Sequence, residues 1–71
     1  MTVSLAGLIK DAIKQRDLTV KTVAPAVHMK PRTLYMRLHN PETFQVQELR
    51  RISKVLKIPP EDILTALEVT S

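Results

Sequence analysis

Apolar residues recur along this chain at helical spacing, and five amphipathic segments follow from that pattern. Leu5, Leu8, Ile9, Ala12 and Ile13 fall on one stripe of a first helix, with Lys10, Asp11, Lys14 and Gln15 on its wet side. Ser4 or Thr2 is placed to cap its start. A second helix is expected to begin at Thr19, a good N-cap, with Val20, Val23, Ala24 and Val27 as its apolar set. Pro25 interrupts that pattern: it lacks an N–H and clashes with the carbonyl four residues back, so a bend or a loosened turn is expected there. The third helix starts where Pro31 follows Lys30, since proline suits the first helical position. Leu34 and Leu38 face inward, Arg32, Tyr35, Met36 and His39 point elsewhere, and Asn40-Pro41 ends the helix.

The fourth helix is read from about Val46 to Lys57, with Leu49, Ile52, Ser53 and Leu56 turned inward. Phe44 can staple onto Leu49, Gln45 sits at the cap and Glu48 at the third position. The last helix opens at Pro60, carries Glu61 and Asp62 where the helix dipole favours acids, and presents Ile63, Leu64 and Leu67. No stretch alternates with the period of a strand. The pattern predicts an all-α fold, a compact bundle of five short helices in a single domain over residues 1–71.

Composition narrows the picture. With one Phe, one Tyr and no Trp, the core must be aliphatic, built from Leu, Ile, Val and Met. The absence of cysteine excludes disulfides and Cys-based zinc sites. No apolar run approaches the roughly 18–20 residues of a membrane span. MTVSLAGLIK has no basic segment ahead of its apolar stretch, so no signal peptide is expected, and the expected location is cytoplasmic. The net charge of +4 is uneven: residues 1–40 hold seven Lys/Arg against Asp11 and Asp17, whereas residues 41–71 hold four against five acids. A basic half suggests a polyanionic partner.

That basic half contains residues 19–39, TVKTVAPAVHMKPRTLYMRLH, which read as two short helices joined by a tight turn, the second carrying basic and polar groups. Such an arrangement can place one helix in the major groove of DNA. Val23-Ala24, then Val27, Met29, Thr33 and Leu34 at matching spacing, and the tail from Leu49 to Ile63 resemble the helix-turn-helix domain of the phage repressor/Cro family, the lambda-repressor-like or XRE type. The resemblance covers about residues 5–67. It departs from the usual pattern at His28, where the family places Gly at the turn, at Pro25, and at Leu38, one place beyond the common apolar position, where Arg37 stands instead. TLYMRLHNPETF is similar to a branch of small phage and mobile-element regulators.

The resemblance implies a sequence-specific transcriptional regulator whose third helix is the recognition helix. Lys30, Arg32, Tyr35 and Met36 match base-facing positions. Among these, an arginine can bind guanine O6 and N7 together, worth about 1–3 kcal/mol of discrimination. Backbone contacts are expected from Thr19 and Lys21 at the start of the second helix, from Thr33, and from Arg37, His39, Asn40 and Thr43. The implied partner is double-stranded DNA with a two-fold symmetric operator, bound by a homodimer joined through helix 60–69, with Ile63, Leu64, Leu67 and Val69 as contacts. No cofactor, metal or membrane is implied.

On the residues alone, Lys30, Arg32 and Arg37 read more readily as an ordinary solvated face, and Tyr35 also suits a cover for the core edge. A protein-interaction module on the same fold, antitoxin-like or adaptor-like with little DNA readout, is the alternative. His28 and His39 without nearby acids make a poor metal site. No nucleophile–base pair, glycine-rich phosphate loop or carboxylate dyad is present, so no enzyme is expected.

Overall fold

The computed structural model describes the backbone of residues 4–70 and the side chains of residues 4–68. Thr2, the alternative first cap, and the side chain of Val69 lie outside the described residues. Five α-helices follow in order: α1 Leu5–Gln15, α2 Val20–Ala26, α3 Pro31–His39, α4 Val46–Leu56 and α5 Pro60–Thr70. A 3-10 turn, Pro41–Thr43, lies between α3 and α4. The described residues contain no strand.

The starts of these helices follow from their capping residues. Ser4 Oγ accepts the Gly7 N–H at 3.1 Å, and Thr19 Oγ1 accepts the Thr22 N–H at 3.2 Å. At α4 the Gln45 N–H donates to Glu48 Oε1 at 2.8 Å, so the third helical residue reaches back to close the first turn. Lys30 and Pro31 open α3 by backbone conformation alone, with no side-chain cap.

Three helix ends share one device. Asp17, His28 and Lys57 stand in the left-handed region at φ 54°, 59° and 53°. In each case the next residue's N–H reaches back five positions: Leu18 to Ile13, Met29 to Ala24 and Ile58 to Ser53, at 3.0, 2.9 and 3.0 Å. The turn expected at His28 is therefore made, without glycine. Asn40 closes α3 differently, its N–H bonding Met36 O at 2.9 Å before Pro41 forces the chain into the 3-10 turn.

Pro25 does not break α2. The α-helix runs through it and ends one residue later, at Ala26. The Val27 N–H is shared between Val23 O at 3.2 Å and Ala24 O at 3.1 Å, so the loosening is confined to a last turn that was about to end. The proline is exposed, and its ring meets solvent rather than the core.

The core is aliphatic, as the composition requires. Leu5, Ile9 and Ile13 from α1, Val23 and Ala24 from α2, Leu34 and Leu38 from α3, Leu49, Ile52 and Leu56 from α4, and Ile63 and Ala66 from α5 are buried together with Val27 and Ile58. Methionine contributes less than expected: Met29 is half-buried and Met36 is exposed. Ile58 follows the left-handed Lys57, which swings it inward out of any helical period. Arg16 ties the far ends of α1 and α4 together, its Nε donating to Leu56 O at 2.9 Å and so satisfying a helix-terminal carbonyl.

Candidate nucleic-acid interface

The surface of α3 follows from its core contacts. Leu34 and Leu38 are buried, and α3 packs on α2 and α1 through that side. At about 3.6 residues per turn, Arg32, Tyr35, Met36 and His39 then share the opposite arc. All four are exposed, and Lys30 is exposed at the cap. Tyr35 and Met36 keep 57% and 56% of their surface, too much for a cover over the core edge. A cation pair at the helix start, an aromatic ring, a thioether and an imidazole thus project from one rigid face.

The expected backbone group divides. Thr19 uses its hydroxyl internally, as the α2 cap and in a 2.9 Å hydrogen bond with Thr22 Oγ1. The first two N–H groups of α2, on Val20 and Lys21, have no partner among the described residues, and the Lys21 side chain beside them is exposed. Thr33 is half-buried on the flank of α3, while His39 and Asn40 are exposed. Thr43 donates its hydroxyl to Asn40 O at 2.6 Å, which fixes the turn after α3. Arg37 differs from the rest. It lies on the core-side flank of α3, half-buried, with Nε 3.2 Å from Glu48 Oε1 on α4. Its Nε is buried and makes a contact of charge with the carboxylate rather than an aligned hydrogen bond.

A helix-turn-helix closed by a tight left-handed turn, and a second helix with a solvated basic arc, is geometry suited to a duplex groove. The model of the Cro/C1-type HTH DNA-binding domain family matches residues 9–67. The chain belongs to that family. Among curated proteins and among solved structures, no match was found. The matched span includes α2 and α3, the two helices on either side of that turn. The same chain has no described helix long and apolar enough to cross a membrane. Nor do its described residues gather three or more His, Cys, Asp or Glu into one group.

The residues expected to join two copies are not equivalent. Ile63 is a core residue at 6% exposure and offers only its edge, Leu67 is half-buried, and Leu64 stands out at 63%. Sequence reasoning missed their neighbour Val46, exposed at 68%. With Leu49 and Pro60 these side chains line an open, largely apolar groove of about 640 Å³ between α4 and α5. The signal for Val46 was available: it opens α4 three residues before Leu49, about 60° from it on the helix surface, so helical spacing sets the two side by side.

Proposed function

We propose that this chain is a sequence-specific double-stranded DNA-binding transcriptional regulator of Cro/repressor type, from a phage or mobile element, working as a single non-enzymatic domain at the nucleoid. The observation that carries this reading is the solvated arc of α3, set on a helix whose other side is locked in the core. Arg32 supplies bidentate guanine readout, Lys30 a guanine or phosphate contact, Tyr35 and Met36 apolar contact with thymine methyls. Lys21 and the free α2 amides, Thr19, Thr33, His39, Asn40 and Thr43 fix the register on the phosphates.

The groove between α4 and α5 supports a homodimer on a two-fold symmetric operator. Arg50, Arg51 and Lys54 are exposed on α4 and Lys57 just past its end, and none of them forms an ion pair among the described residues. Glu61 and Asp62 are exposed at the start of α5. Two copies related by a two-fold axis would lay the acidic start of one α5 near the basic face of the other α4, with Leu64, Leu67 and Val46 between them, Ile63 beneath, and Val69 at the end.

Selection of bound sequences from a random duplex library near physiological salt tests both parts. Enrichment of a two-fold symmetric motif is the expected result. Binding without enrichment would replace the reading with a sequence-independent binder. The exposed Tyr35 and Met36 favour one further reading, a protein-interaction module. Replacing Lys30 and Arg32 together by Glu abolishes DNA binding under the first reading and spares partner binding under the second.

A further inference from the structure

The ion pair between α3 and α4 gives Arg37 a task that its place in the basic segment hides. With Leu34 about 60° away on the helix surface, the Arg37 side chain leaves α3 along the core rather than toward the solvated arc. Its side chain keeps 22% of its surface, and the Glu48 side chain 11%. Glu48 is itself pinned: the same Oε1 that lies 3.2 Å from Arg37 Nε accepts the Gln45 N–H at 2.8 Å. The carboxylate therefore cannot follow the guanidinium away from α4, and whatever Arg37 holds is held to the first turn of that helix. A cation already neutralised by a buried carboxylate has little charge left to displace counterions, and the carboxylate repels a nearby phosphate.

We propose that Arg37 is a positioning residue: through Glu48 it fastens the C-terminal half of the recognition helix to the start of α4. The pair sets the angle at which Arg32, Tyr35 and Met36 meet the bases and does not neutralise a phosphate. This rests on the DNA-binding reading above. The coupling is to the interaction surface, because α3 touches DNA with one side while the pair restrains the other.

Four variants of the full chain test it: Arg37→Met, Glu48→Gln, the double change and Arg37→Lys. Glu48→Gln keeps an amide oxygen for the Gln45 N–H while removing the charge, so the α4 cap survives. Each is titrated against the duplex enriched by the native protein and against a scrambled duplex, over a range of salt, and each is unfolded by urea. Either single change is expected to weaken the enriched duplex by about tenfold, a scale typical of contacting residues, with no further loss in the double variant. The scrambled duplex and the salt slope should stay unchanged, and Arg37→Lys should restore part of the loss. A phosphate contact predicts the opposite: a slope shallower by about 0.9, equal loss on both duplexes, and no loss in Glu48→Gln. That result would overturn the proposal, as would additive unfolding midpoints, which would show that the two side chains do not act as a pair. If the native protein enriches no duplex, the DNA-binding reading itself fails, whereas the unfolding cycle still reports separately whether the pair exists.

Discussion

His28 occupies a conformation that glycine enters freely and a residue with a Cβ enters at a cost of about 1 kcal/mol. Its side chain is exposed at the turn between α2 and α3, so removing it exposes no core. His28→Gly should therefore raise stability by about 1 kcal/mol. For a domain of this size that corresponds to about 4–8 °C in Tm, readable by thermal melting followed by circular dichroism. His28→Val should lower it, because a β-branched residue tolerates positive φ least. The strain at His28 was legible because a glycine is usual there, but Asp17 and Lys57 gave no such sign. A left-handed residue leaves no trace in apolar spacing, and only the backbone reveals that three helix ends share the same turn. Side chains on α3 carry a second expectation at this scale. Arg32→Ala should relax the selected motif at one base pair per half-site, by about 1–3 kcal/mol. Lys21→Ala should instead weaken all duplexes alike and make the salt slope shallower by about 0.9. Repeating the library selection with each variant separates readout from charge.

Helices were readable where their boundaries are made by single residues. Ser4, Thr19, the Lys30-Pro31 step and the Gln45/Glu48 pair each mark a start that the structure realises. Thr19 carries the most consequence, because α2 has seven residues and one of them is Pro25. Its hydroxyl satisfies the Thr22 N–H and braces the Thr22 hydroxyl. Thr19→Ala should cost about 1 kcal/mol in urea unfolding, and hydrogen exchange should rise in α2 before it rises in α4. Proline was over-read at this scale. Spacing places Pro25 deep in a helix if Val27 is included, but Val27 belongs to the closing turn, where a missing donor matters less. The 3-10 turn after α3 was missed for a related reason: Asn40-Pro41 signals that a helix stops but leaves the conformation of the next residues open. The direction of Arg37 was beyond local reading altogether. Position alone puts it in a basic segment, and only the docking of α4 against α3 brings Glu48 within 3.2 Å.

The assembled molecule places its two candidate surfaces on different helices, α3 for DNA and α4/α5 for a second copy, and a single change can separate them. Leu64 is mostly exposed, so Leu64→Lys should alter monomer stability by less than about 0.5 kcal/mol. In a two-fold interface its effect is doubled, since each copy contributes the residue once to its own patch and once to its partner's. Sedimentation equilibrium should show a concentration-dependent dimer for the native chain, weakened by salt because charged faces meet, and a monomer for Leu64→Lys. DNA then reports whether that dimer is what reads the operator. On a duplex with one half-site the two proteins should bind equally. On the full symmetric site the native protein should gain affinity from linkage, of the order of 100-fold, and the variant should lose that gain while keeping its base preferences. Equal binding of both proteins to the full site would place the dimer contact elsewhere, leaving the α4/α5 groove without a role in operator recognition.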